Sequence, residues 1–162
     1  MRSLLVWAAV TAALLFGPLT AAATQNASLP RYSVDTVLQT ISEARGQVVV
    51  LNFWATWCAG CREEIPELVA LREKYADHEV LIVGLSLDTD PGTVRAFLER
   101  FPVNYRMAHA AGDIQMLYDL TTIPKTIVYG PKGQKQLDHT GFMSTGDLTQ
   151  TIDPLLTHEH NN

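Results

Sequence analysis

Residues 48–53 read Val-Val-Val-Leu-Asn-Phe. A continuous β-branched run of this kind marks a strand buried on both faces, because a strand with one wet face alternates apolar and polar side chains. A second apolar run extends from Val80 to Leu87. Between them, Arg62 to Ala76 carries Ile65, Leu68, Val69, Leu71 and Tyr75 at helical spacing, with Pro66 inside as an expected kink. Two doubly buried strands joined by a helix make a parallel pair that needs helices on both faces, and this confines the chain to an α/β architecture.

The other segments extend the pattern. Val34, Val37, Leu38 and Ile41 fall on one face of a helix over 34–44, with Ser33 as its cap and Gly46 past its end. Asp90 and Pro91 open a helix whose inner face is Val94, Phe97, Leu98 and Phe101. Tyr105 to Met107 reads as a short strand, and Gly112 to Asp119 as a short helix with Ile114, Leu117 and Tyr118 inward. Thr126–Tyr129 and Gln136–Thr140 flank Gly130-Pro131-Lys132-Gly133, a turn sequence that predicts an antiparallel hairpin. Ser144 and Asp147 form a capping box before a last helix striped by Leu148, Ile152, Leu155 and Leu156. The expected fold is a central mixed β-sheet flanked by helices on both faces.

The chain has 162 residues, 47% of them apolar and 18% charged, which suits one compact domain. Its 12 basic residues are outnumbered by 17 acidic ones, without a basic block, so binding to nucleic acid by phosphate neutralisation is not expected.

Residues 1–23 are set apart from the fold. Met-Arg-Ser leads into an apolar run from Leu4 to Phe16, then Gly17-Pro18 and a small-residue stretch ending Ala21-Ala22-Ala23. This is the layout of a secretory signal peptide cleaved after Ala23, with an uncleaved membrane anchor as the alternative. The expected organisation is a signal peptide at 1–23, a linker at 24–30, one domain at 31–157 and a flexible tail at 158–162. Export would place the mature chain in the periplasm, where thiols meet oxidising machinery.

The chemistry lies in Phe53-Trp54-Ala55-Thr56-Trp57-Cys58-Ala59-Gly60-Cys61-Arg62, between a buried strand and a helix. Cys58 and Cys61 are the chain's two cysteines, too few for a four-thiolate zinc site or a stapled scaffold. At a helix start, free backbone N–H groups and the helix dipole favour an anion, so Cys58 is the expected nucleophile. Cys61, one turn further in, is the expected resolving thiol. A c-type haem site needs His after the second cysteine, and position 62 is Arg. A zinc site would have to recruit His109, His139, His158 or His160, which are not paired at ligand spacing. A purely structural disulfide over so short a loop stabilises little. Trp54 and Phe53 read as core, Trp57 as a partly exposed platform at the rim, and Glu63, Glu64 and Glu67 as a solvated helix face.

These residues resemble the thioredoxin superfamily, and within it the TlpA-like branch of exported disulfide reductases. The similarity spans roughly Val34 to Leu156. It rests on the string from Val49 to Cys61, on Pro66 five residues after the second cysteine, and on Ile123-Pro124 before the hairpin. The resemblance implies a thioredoxin fold, a Cys58–Cys61 dithiol/disulfide cycle, and a cis-proline loop at Ile123-Pro124 that, with Trp57, binds substrate chains. It implies disulfide-bearing protein substrates, a membrane-borne electron donor, a role such as cytochrome c maturation, a monomer, and neither cofactor nor metal.

This sequence also departs from the pattern. Asn52 stands where thioredoxins carry a buried Asp, which makes Asp88 the expected proton-transfer residue. Lys125 follows the proline where a small polar residue is usual, and a helix replaces the branch's N-terminal hairpin. Two rivals remain. A copper chaperone would use the thiolates with His139, but carriers of this fold have three residues between their cysteines, not two. A peroxidase carries Thr three residues before its cysteine, whereas Thr56 is two before Cys58.

Overall fold

The computed structural model describes residues 29–157. The segments expected to be a signal peptide at 1–23, a linker up to residue 28 and a tail at 158–162 lie outside the described residues. In chain order the elements are β1 (Arg31–Tyr32), α1 (Val34–Glu43), β2 (Val48–Trp54), α2 (Ala59–Lys74), β3 (Val80–Ser86), α3 (Pro91–Arg100), β4 (Arg106–Ala110), α4 (Gly112–Leu117), β5 (Lys125–Tyr129), β6 (Lys135–Thr140) and α5 (Thr145–Thr157).

Among the described residues the sheet has six strands in the order β1-β4-β3-β2-β5-β6. The first four run parallel, while β5 is added antiparallel to β2 and β6 antiparallel to β5. The two apolar runs of the sequence are therefore the two central parallel strands, as expected of segments buried on both faces.

Side-chain alternation divides β2 between two cores. Val49, Leu51 and Phe53 meet Val37, Ile41 and Ile114 under α1 and α4. Val48 and Val50 meet Leu68 and Leu71 of α2 and Leu148 and Ile152 of α5. Further along the second face, Trp54 packs with Ile65, Val94 and the two cysteines.

Several expectations need adjustment. β1 went unread because two residues leave no periodicity; it is held by pairing with β4, by the bonds His109 N–H to Pro30 O and Ala111 N–H to Tyr32 O, 2.8 Å each, and by burial of Tyr32 in the core. α2 begins at Ala59, three residues before the start expected at Arg62, and runs on through Pro66. Leu38, Phe101 and Leu117, assigned to inner faces, are 53%, 52% and 55% exposed. Each sits at the border of an apolar stripe wider than the surface its helix covers.

Candidate active site

β2 delivers the chain to the site as a fully buried strand, and four residues separate its end from the start of α2. Cys58 is the N-cap of α2. Its backbone is extended and its Sγ accepts the Cys61 N–H at 3.2 Å, so the sulfur occupies the place of a capping oxygen. The two sulfurs are joined in a disulfide with Cα atoms 5.3 Å apart. Cys58 is 8% exposed and Cys61 1%, an asymmetry that leaves Cys58 as the more accessible sulfur.

The loop before β5 closes on this pair. The Ile123–Pro124 peptide is cis, and the Ile123 carbonyl oxygen lies 3.6 Å from Cys58 Sγ. A Cβ on Gly60 would stand 3.5 Å from Pro124 Cδ, which places the proline against the turn between the cysteines. The loop is fastened on its far side by the Gly141 N–H, which donates to Pro124 O at 2.8 Å. Lys125, the unusual residue after the proline, is almost wholly buried. It donates to the Tyr118 carbonyl at 2.9 Å and pairs with Asp138 of β6 at 3.1 Å, tying the loop to the edge hairpin. Trp57 is 69% exposed beside Cys58, as the sequence suggested, and Trp54 is fully buried.

Asp88 is drawn into holding the turn. Its carboxylate accepts the Thr56 backbone N–H at 2.9 Å, the Thr56 hydroxyl at 2.6 Å and the Ser86 hydroxyl at 2.8 Å. Thr56 is thereby fixed two residues before Cys58, and its hydroxyl is committed to Asp88 rather than aimed at a ligand of the cysteine.

The acid that meets Asn52 is Glu64, one helical turn beyond Cys61. Its side chain is fully buried, contrary to the solvated face expected for Glu63, Glu64 and Glu67. Glu64 accepts the Asn52 side-chain amide at 2.6 Å and the Met143 backbone N–H at 2.9 Å, while Asn52 also donates to the Thr126 hydroxyl at 3.0 Å. Burial pushes the Glu64 carboxyl up to about 7, and the donors from Met143, Asn52 and Thr126 only partly offset this. The buried Tyr105 hydroxyl has no hydrogen-bond partner among the described residues. Burial, and then the charge of Glu64, raise its phenol above the ordinary range.

The sequence reading missed Glu64 because three nearby acids look like a wet surface. Two signals point to it. Cys61, Glu64, Ile65 and Leu68 share the i, i+3, i+4, i+7 stripe that faces the core, and an Asn inside a buried strand needs a polar partner. Among the described residues, no group of three or more His, Cys, Asp and Glu side chains is arranged to hold a metal ion.

Comparison with known proteins agrees with this geometry. Residues 22–135 match the AhpC/TSA family. The chain is 31% identical over 130 residues to the thioredoxin-like protein YneN of Bacillus subtilis, covering 76% of each chain. It is 33% identical over 102 residues to the thiol-disulfide oxidoreductase ResA of Oceanobacillus iheyensis, covering 62% of this chain and 53% of ResA. Among solved structures, the thioredoxin-related protein of Neisseria meningitidis serogroup B superimposes with a TM-score of 0.61 at 29% identity, over 70% of this chain and 87% of that one. The thioredoxin-like fold expected from the sequence is the fold observed.

Proposed function

The chain belongs to the AhpC/TSA family, and on that premise we propose that this thioredoxin-like thiol–disulfide oxidoreductase is an exported reductant of protein disulfides. One observation carries the reading. Cys58 caps α2 in a disulfide with Cys61, and the backbone of the cis-proline loop lies against its sulfur.

In the reduced protein the Cys58 thiolate, stabilised by the helix start, attacks a substrate disulfide. A bond forms between Cys58 Sγ and one substrate sulfur, and the other leaves as a thiolate that takes up a proton. Cys61 then loses its proton and attacks Cys58 Sγ. The second substrate sulfur departs as a thiolate, the Cys58–Cys61 disulfide closes, and two electrons have passed to the substrate. Glu64, one turn from Cys61 and pushed up to about 7, is suited to receive the Cys61 proton near neutral pH. Asp88 acts as a positioning residue for the turn, in place of the proton-transfer role expected from the sequence. Trp57, Ile123 and Pro124 frame the approach of the substrate strand. A membrane-borne donor would restore the dithiol in the periplasm.

The direction follows from the turn between the cysteines. Ala59 and Gly60 add neither charge nor ring nitrogen, so the turn itself supplies nothing that would over-stabilise the reduced thiolate. Equilibration with a glutathione buffer should place the potential nearer about −270 mV than about −120 mV, and a value above roughly −160 mV would overturn the assignment as a reductant. A Cys61→Ser variant should accumulate mixed disulfides with its substrates through Cys58, identifiable by mass spectrometry. Equal capture by a Cys58→Ser variant, which keeps Cys61 as its one thiol, would refute the order of attack.

A further inference from the structure

Arg62, Ile65 and Val69 of α2 lie at helical spacing on one side of the helix. With Phe97, Arg100 and Phe101 at the end of α3 they line a cavity of about 350 Å³. Its floor is apolar. Ile65 is buried, and the ring of Phe97 stacks between Trp54, at 5.4 Å between centroids, and Phe101, at 4.9 Å. Phe101 nevertheless remains 52% exposed, an aromatic face open to the groove's mouth.

The rim is cationic. Arg100 stands over the Phe101 ring at 5.9 Å, Arg62 directly follows Cys61, and among the described residues neither guanidinium makes an ion pair. Acidic side chains are absent from the described lining, although the chain carries 17 acidic residues against 12 basic ones. An apolar groove edged by two unpaired arginines on an otherwise acidic protein is complementary to an apolar side chain flanked by carboxylates.

The lining of the groove starts at Arg62, the residue that follows the resolving cysteine in the chain. Seven residues of helix separate Arg62 from Val69, about 10 Å at 1.5 Å per residue, which an extended chain covers in about three residues. We propose that the groove is a docking site for the disulfide-bearing protein partner. It takes an apolar side chain flanked by acidic residues, about three to six positions from the partner cysteine that reacts with Cys58. This rests on the oxidoreductase reading of the cysteine pair and adds to it a preference in the partner.

The test uses the reduced full chain and three disulfide probes. One is the symmetric thionitrobenzoate disulfide. The other two are twin peptides whose single cysteine is capped with thionitrobenzoate and whose sequences differ only in Phe-Glu-Glu against Phe-Lys-Lys, set four residues from the cysteine. Release of thionitrobenzoate reports each reaction. The acidic twin should react about tenfold faster than the basic one at low salt, the ratio should shrink as salt rises, and Arg100→Glu should reverse it. Arg100 is exposed, so the substitution is expected to leave the fold intact; the salt dependence of the wild-type ratio decides the matter without it.

Equal rates for the twins, with the small probe reduced, would overturn the docking site and leave the oxidoreductase reading standing. Failure to reduce the small probe would overturn both. A wild-type protein that sediments as a dimer and becomes a monomer on Val69→Asp would place a second copy in the groove and overturn the proposed partner.

Discussion

Asp88 and Glu64 are both carboxylates closed off from solvent, 8% and 0% exposed, and both stand next to the redox turn. Asp88 is met by three donors, two of them from Thr56. Glu64 is met by Met143, Asn52 and Thr126, and burial nevertheless pushes its carboxyl up to about 7. A carboxylate whose donors belong to the turn itself works as a fastening, whereas one buried so deeply that its donors only partly offset desolvation can take up and give back a proton near neutrality. Neither proximity to the cysteines nor the number of donors distinguishes the two; the depth of burial does, together with what the donors hold.

The largest effect that tests this contrast is on stability. Asp88→Ala strips the partner from three charge-assisted hydrogen bonds and should cost roughly 4 kcal/mol in a denaturant titration. A loss below about 1 kcal/mol would show that the turn holds without it.

Next is the pH dependence of folding. The folded value of Glu64 lies above its ordinary 4.5, so its ionisation opposes folding. Its contribution is full below 4.5 and is lost as pH rises through about 7. That gap corresponds to about 3 kcal/mol. Unfolding curves on either side of this window should show the loss in the wild type and a flat response in Glu64→Gln.

Kinetics sharpen the comparison further. Glu64→Gln should slow closure of the Cys58–Cys61 disulfide from a preformed mixed disulfide by about a hundredfold, the lower end of what a positioned base supplies. The first attack by Cys58 should change little, and equal slowing of both steps in rapid-mixing experiments would remove Glu64 from the proton path. The smallest expected change is in Thr56→Val, which keeps the backbone N–H to Asp88 and loses only the hydroxyl, for about 1 kcal/mol in the same titration.

How much of this could be read in advance follows from the same physics. The central strands were legible because burial on both faces removes polar residues from Val48–Leu51 and Val80–Val83. The pairing of Cys58 with Cys61 and the cis bond at Pro124 were legible because both depend on residue type and spacing. Glu64 was not, since its neighbours Glu63 and Glu67 share its charge and only the tertiary position of α2 tells them apart. Asp88 was found as a nearby acid, but its role depends on Thr56 and Ser86 reaching it, which spacing does not reveal. Leu38 and Leu117 carried the right periodicity and stayed outside, because a helix stripe does not record how much neighbouring surface is available to cover it.

Asn52 directs its amide hydrogens at Glu64 and Thr126, and its carbonyl oxygen has no partner among the described residues. When Glu64 takes a proton, the acceptor that the Asn52 amide meets at 2.6 Å loses its charge, so the surroundings of that amide change with the state of the acid. The asparagine is therefore a gauge built into the strand. In nitrogen-labelled protein its side-chain resonances should move at the pH where the carboxyl titrates, so the state of the acid can be followed without a reporter on either sulfur.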